Sequence, residues 1–348
     1  MRPNLAGYRK LRILLIVYDT HVPPDKIRGI DLEKVEWRSE YEVASTLNRM
    51  GQNVKVLGVG DDLAPIWKAV EDFKPHVAIN LLEEFHSEYL YDQNVVSYLE
   101  LLQLPYVGCN PRGLVLSRDK ALTKKLLSYH QIPVPQFAVF PKNRNLARPT
   151  SLAFPLIVKA LNAQASIGIS QSSVVFDDEK LKERVDFIHS SIGMDAIAET
   201  YIEGRELYVG VLGNNRIEAF PVWELRFNKR SESTHQIATH AAKWDPKYIK
   251  RMGIKFAEAK LSKSQTEHIQ TICKHAYRIL GLSGYARMDL RLSPMGEVYL
   301  IEANPNPHIG RGEALAESAR RAGVSYEDLL WRILTLGMAW QPGQLQVA

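Results

Sequence analysis

Asp289, Glu302 and Asn304 are the residues of this 348-residue chain whose types and spacing point most directly to chemistry. Asp289 lies in Gly284-Tyr285-Ala286-Arg287-Met288-Asp289-Leu290-Arg291-Leu292, and the other two lie in Tyr299-Leu300-Ile301-Glu302-Ala303-Asn304-Pro305-Asn306-Pro307. Both segments alternate as strands do, and the turn-rich link Ser293-Pro294-Met295-Gly296-Glu297 predicts that they pair as a hairpin. Asp289 and Glu302 then share one face, and Asn304, two residues beyond Glu302, shares it too. Two carboxylates and an amide suit a hard divalent cation such as magnesium, whose site is completed by water and substrate phosphates. Arg287, on the Asp289 face, adds a fixed positive charge, so the cluster reads as a phosphoryl-transfer site. Taken singly, each charge belongs on a solvated surface. The apolar flanks Ile279-Leu280-Gly281-Leu282 and Val298-Tyr299-Leu300-Ile301 argue for a core instead, where charges are costly unless paired or metal-bound.

The elements that must position this cluster follow from hydrophobic periodicity. The first third alternates strand and helix: Leu11 to Tyr18, Asn53 to Leu57 and His76 to Leu81 read as strands, and Glu40 to Met50, Leu63 to Asp72 and Asn94 to Leu102 as helices. Such alternation predicts an α/β fold with a parallel sheet, whose ligands sit at the carboxyl ends of the strands. The long loop Asp19 to Arg38 lies at such an end. A basic helix from Lys120 to Tyr129 leads into a strand-rich region: Phe154 to Lys159, Gly168 to Val175 and Ala196 to Glu199 are strands, and Asp178 to Ile192 is a helix. A hairpin of Glu206 to Leu212 and Arg216 to Pro221 follows, then a polar stretch from Phe227 to Lys250, helix Lys263 to Leu280, the metal hairpin and two closing helices. Three domains are expected, over residues 1–115, 116–205 and 206–348.

Composition sets bounds. The 44 Lys and Arg exceed the 39 Asp and Glu by five, spread along the chain without a basic run that would bind nucleic acid. Cys109 and Cys273 are too few for a disulfide framework and too far apart for a metal motif. No stretch approaches the roughly 18 apolar residues of a membrane span. The apolar run Ile13 to Val17 is strand-sized and lacks a cleavage site, so no signal peptide is expected and the cytoplasm is the default compartment.

Lys120 and Lys159 are the candidates for phosphate contact. Lys159 ends an apolar strand before the loop Ala160 to Gly168, which includes Ser166 and is made largely of small residues whose backbone N–H groups can approach a phosphate. A Walker-type Gly-x-x-x-x-Gly-Lys-Ser/Thr sequence is absent, which disfavours a P-loop kinase.

The Arg-x-Asp strand paired with a Glu-x-Asn strand, with Ile-Val-Lys before a small-residue loop ending Ser-x-Gly, resembles the ATP-grasp ligases, and specifically the D-alanine:D-alanine ligase branch. The resemblance covers nearly the whole chain. It implies an ATP-grasp fold: an N-terminal parallel-sheet domain, a small central α+β domain and a C-terminal mixed-sheet domain, with ATP between the last two. It implies that Asp289, Glu302 and Asn304 hold two magnesium ions, with manganese as the alternative, and that Arg287 steadies the transferring phosphoryl group. Glu199 and the backbone at Ile202 would meet the adenine, Glu206 a ribose hydroxyl, and Lys243 the phosphates from a closing loop. Glu42 matches the glutamate that recognises the ammonium of the first amino acid, although a carboxylate in the first turns of a helix also suits the dipole.

The reaction so implied is two-step: a carboxylate attacks the terminal phosphate of ATP to give an acylphosphate, and an amine displaces phosphate to form an amide. Positioning and charge neutralisation carry such chemistry. The acceptor side departs from the family in three places. The small loop reads Ala165-Ser166-Ile167-Gly168, the closing loop reads Lys243-Trp244, and the metal strand continues as Pro307-His308-Ile309-Gly310-Arg311-Gly312-Glu313. Glu313 would repel a substrate carboxylate, Arg311 could bind one, and His308 is either a base for the incoming amine or a positioning or merely structural histidine. The expected partners are small-molecule carboxylates and amines, including amino acids or peptides, with neither nucleic acid nor membrane, and related ligases point to a homodimer. D-alanine:D-alanine ligase activity is one reading within this class, and a nucleotide-binding regulator without turnover is the reading from another class.

Overall fold

The computed structural model describes residues 9–342, except 145–146, 164–165, 228–234, 236, 240 and 243–244. Lys243 and Trp244, assigned above to a closing loop, lie outside the described residues. Strands are numbered in chain order and helices are given by their ranges.

The N-terminal sheet is built from β1 (Arg12–Tyr18), β2 (Asn53–Val59), β3 (Val77–Asn80) and β4 (Tyr106–Val107), all parallel in the order β2-β1-β3-β4. A parallel strand is covered on both faces, and β1 is accordingly an unbroken apolar run. Its alternate residues serve two cores. Ile13, Leu15 and Val17 pack with Val43 and Leu47 of helix Arg38–Arg49 and with Leu329 and Ile333 of helix Tyr326–Ala339, whereas Leu14 and Ile16 pack with Ile66, Val95 and Leu99. The last helix thus returns to the first sheet. Gly337 makes this contact feasible, since a Cβ there would lie 2.5 Å from the Tyr106 carbonyl oxygen.

The central sheet, β5 (Phe137–Phe140), β6 (Leu156–Ala160), β7 (Val174–Val175) and β8 (Ala196–Thr200), is antiparallel in the order β5-β8-β6-β7. Two expectations change here. The strand expected from Gly168 shrinks to Val174–Val175, because Ser170 and Ser173 close a reciprocal capping box that bends the preceding residues into a turn of 3-10 helix. Helix Asp178–Phe187 ends regularly, and Ile188–Ile192 continue as a π-turn stopped by Gly193 at φ 81°.

The C-terminal sheet contains β9 (Arg205–Leu212), β10 (Glu218–Ala219), β11 (Trp223–Phe227), β12 (Ile254–Glu258), β13 (Tyr285–Leu292) and β14 (Val298–Pro305). Its order is β12-β11-β9-β13-β14, with β10 paired to β9. The expected hairpin is therefore the last pair of a larger sheet, with β13 interior. Met288 and Leu290 pack against Ile269, Ile272 and Ala276 of helix Lys263–Ile279, which leaves Arg287, Asp289 and Arg291 on the other face.

The pairing carries an irregularity that alternation alone does not predict. Asp289 faces Glu302, but the next residue, Leu290, faces Leu300, so Ile301 is an extra residue on β14. This bulge resets the phase of the strand. Leu300 and Ala303 both join the core, while Ile301 and Glu302 both line the cleft opposite.

Candidate active site

A cleft lies between the central and C-terminal sheets, lined on one side by Ile157, Lys159 and Glu199 and on the other by Asp289, Arg291 and Glu302. Asp289 and Glu302 are direct cross-strand partners, and Asn304 stands opposite Arg287 one pair further on. The three oxygen-bearing side chains and the guanidinium are thus brought together as the sequence predicts. Arg287 grips Asp289 with two hydrogen bonds, Nε to Oδ1 at 2.7 Å and Nη2 to Oδ2 at 2.9 Å, and lies 5.3 Å over the Tyr208 ring. Burial opposes its charge, but Asp289, Tyr208 and Glu302 outweigh burial and raise its pKa further.

Helix Lys120–Tyr129 supplies the other cations. Asp119 caps it by accepting from the Leu122 N–H, which fixes Lys120 as its first residue. The Lys120 ammonium lies 3.4 Å from Glu302 Oε1 and donates to the carbonyl of Ala163 at the start of the small-residue loop. Lys124, one turn on and on the same face, is a site residue that the sequence reading missed. Its ammonium donates to the Ile301 carbonyl at 2.7 Å and lies 3.3 Å from Glu199 Oε1, while Lys159 donates to Glu199 Oε2 at 2.9 Å. Burial works against the Glu199 charge, yet Lys124 and Lys159 together hold its carboxyl below the usual range. Burial likewise pushes the Lys124 ammonium below its ordinary value. A Lys-x-x-x-Lys spacing at the start of a helix was the available signal.

Glu206 accepts from the Tyr208 hydroxyl at 2.5 Å and from the Ala238 N–H at 3.1 Å, and Arg291 Nη1 stands 3.3 Å away. Arg291 Nε also donates to the Ile202 carbonyl at 3.0 Å, tying the two predicted nucleoside contacts to the strand that carries Asp289. Ser166, at φ 60°, lines this cleft and the neighbouring cavity.

That second cavity lies beyond Glu302 and Asn304 and is bordered by Glu83, His308 and Glu313. His308 Nε2 is 3.2 Å from Glu83 Oε1. Arg311 lies apart: its Nη2 is 2.7 Å from Glu327 Oε1, and its guanidinium stacks 4.2 Å over Tyr326. Glu42 is also committed, to Arg38 Nε at 3.0 Å and to the backbone N–H of Arg311 at 2.5 Å.

The carboxylate of that helix that does face the pocket is Glu40. It borders a small recess with Glu83, Asn306 and His308, and its Oε1 is 3.4 Å from His21 Nδ1. Residues 40 and 42 of a helix project about 200° apart, so the two cannot serve one recess. Glu40 shares the buried stripe of Val43, Ala44 and Leu47, and a lone acid within an apolar stripe was the signal for it.

Magnesium suits the chemistry of this donor set. Among the described residues no group of three or more His, Cys, Asp or Glu could hold a metal by itself. Two carboxylates with an amide beside them nevertheless match magnesium's habit of taking one or two carboxylates and completing its shell with phosphates and water. Arg287 pairs with Asp289 and Lys120 lies 3.4 Å from Glu302, so both carboxylates are held at the cleft as charged oxygen donors. The residues present fit the ion.

Comparison with known proteins agrees with this geometry. The family model described as D-ala D-ala ligase C-terminus matches residues 126–335. The D-alanine–D-alanine ligase of Cupriavidus pinatubonensis is 31% identical over 251 residues, covering 72% of this chain and 72% of the relative. That of Desulforudis audaxviator is 28% identical over 312 residues, 88% of this chain and 95% of the relative. The crystal structure of the D-alanine–D-alanine ligase from Bacillus anthracis complexed with ATP superposes with a TM-score of 0.73 at 23% identity, covering 94% of this chain and 98% of that one, an agreement of fold.

Proposed function

This chain belongs to the D-alanine–D-alanine ligase family of ATP-grasp fold, and on that premise we propose that it joins an amino-acid carboxylate to an amine in the cleft described above. It is an ATP-dependent ligase that forms carbon–nitrogen bonds between small molecules. The observation that carries the site assignment is the cross-strand pair Asp289 and Glu302, with Asn304 beside it and Arg287 and Lys120 at its flanks.

Asp289, Glu302 and Asn304 would hold magnesium, which when bound neutralises phosphate charge. The chain's own residues do the rest. Lys159 and Lys120 reach the cleft from the central sheet and the adjoining helix, where each can meet a phosphate oxygen. Glu199, Ile202 and Glu206 face the nucleoside end, and Glu199 is already oriented by two ammonium groups. In the first step a donor carboxylate oxygen attacks the γ-phosphorus as its bond to the β-phosphate oxygen breaks, and Arg287 offsets the charge on the transferring group. Glu40, buried and facing the recess, is placed to orient the donor's ammonium, the role that the sequence alone gave to Glu42. Lys243 and Trp244 would complete the closure that keeps water from the acylphosphate. D-alanine as both substrates is one pairing within this reading, and a cytoplasmic homodimer belongs to the same proposal.

The test is release of ADP and phosphate by the purified protein with ATP, magnesium and a panel of amino-acid donors and amine acceptors. Donor-dependent release of both products supports the reading, and ATP binding without turnover for any pair would refute it in favour of a nucleotide-binding regulator.

A further inference from the structure

The cavity beyond Glu302 is acidic where a second amino acid would place its carboxylate. Among the described residues the basic side chains lining it are Arg287 and His308, and both already face a carboxylate, Asp289 and Glu83 respectively. Arg311, the residue of this loop suited to receive an anion, is spent on Glu327 and Tyr326. Glu313 occupies the N-cap of helix Ala314–Arg321, yet its carboxylate caps none of that helix's N–H groups and borders the cavity instead. An incoming carboxylate seeking the positive end of the helix would meet a negative charge already there.

One independent feature adds to this. Ile249, Ile254 and Phe256 give the cavity an apolar lining, and Phe256 is 45% exposed.

We propose that the acceptor is an amine without a carboxylate, carrying an apolar stem that lies against Ile249, Ile254 and Phe256 and a second amino or amide group that meets Glu313. An alkyl diamine or an amino-acid amide is the matching class. The proposal rests on the ligase reading, and the transfer balances as follows. The acceptor's neutral amine nitrogen attacks the acylphosphate carbon, the C–N bond forms, the C–O bond to phosphate breaks with its electron pair leaving on phosphate, and the extra amine proton passes to solvent.

Hydroxylamine first separates the two levels of the claim, because it traps the acylphosphate as a hydroxamate without using the acceptor's distinguishing groups. With the purified full chain, ATP, magnesium and an amino-acid donor panel, hydroxamate should appear for at least one donor. Matched acceptors are then compared with that donor: 1,5-diaminopentane against lysine, and alaninamide against alanine. The carboxylate-free member should be used with a kcat/KM about tenfold or more above its partner, and Glu313→Gln should shrink that preference. Equal or better use of the carboxylated acceptors, or a ratio unchanged in Glu313→Gln, overturns the inference while leaving the ligase reading intact. Absence of hydroxamate and of amide product with every donor overturns both.

Discussion

The Lys124 ammonium lies 3.3 Å from Glu199 and donates to the carbonyl of Ile301, so one side chain fastens the nucleoside end of the cleft to the strand bearing Glu302. Lys124 and Glu199 are both 1% exposed at the side chain, which makes their pairing a matter of stability as well as position.

Lys124→Met should therefore act twice. Breaking a buried pair from one side costs about 3–5 kcal/mol, so the urea midpoint should fall clearly. Glu199 should lose its orientation, raising the KM for ATP more than it lowers kcat. A variant with near-normal stability and unchanged KM would remove Lys124 from both roles.

Glu40 gives a pH-dependent prediction of opposite sign. Burial raises its carboxyl above the usual value of 4.5, despite the lowering effects of its own backbone, His21 and His308. A raised folded-state pKa contributes stability that is fully present below the unfolded value and lost as pH rises through the folded value. At neutral pH the buried Glu40 carboxyl is thus a cost to folding. Glu40→Gln should raise the unfolding temperature at pH 7, the gain should vanish below about pH 4, and donor-dependent turnover should fall. Destabilisation at pH 7 would show that its ionised form is held by more than His21.

The metal assignment is tested by Asp289→Asn and Glu302→Gln. Each should lower turnover by about 10²-fold or more while circular dichroism and thermal unfolding report a folded protein. Chelation of divalent ions should abolish ADP release from the unaltered protein, and added magnesium should restore it. Near-normal activity in both variants would move the metal elsewhere.

Much of this site was legible in the sequence because it is local. A hairpin brings Arg287, Asp289, Glu302 and Asn304 together through strand periodicity alone, and the small-residue loop after an apolar strand points to Lys159 as the basic helix does to Lys120. What was not legible depends on direction or on distant partners. Glu42 came from the resemblance alone, whereas Glu40 follows from the phase of helix Arg38–Arg49, whose stripe of Val43, Ala44 and Leu47 packs on β1. Arg311 promised an anion site until Glu327 and Tyr326, from a helix further along, were seen to occupy it. β11 pairs with both β9 and β12, and β12 escapes the sequence because only Ile254 of its residues is well buried.

Gly337 offers a check on the fold itself. A Cβ at this position would meet the Tyr106 carbonyl oxygen at 2.5 Å and carbon at 2.8 Å and the Val107 side chain at 2.8 Å, and the carbonyl has little room to yield. Gly337→Ala should destabilise by about 1–3 kcal/mol through displacement of helix Tyr326–Ala339 from β4, although alanine is the better helix former. A stabilised variant in urea titration would mean that the helix shifts without loss.

The extra residue at Ile301 gives the active strand a tolerance that its composition hides. Removing that one apolar residue would restore strict alternation, with Leu300 and Ala303 toward the core and Glu302, now directly after Leu300, still opposite Asp289 on the cleft side. The strand can therefore lose a residue between Leu300 and Glu302 more readily than at its regular positions, where a one-residue slip turns the following side chains to the opposite face.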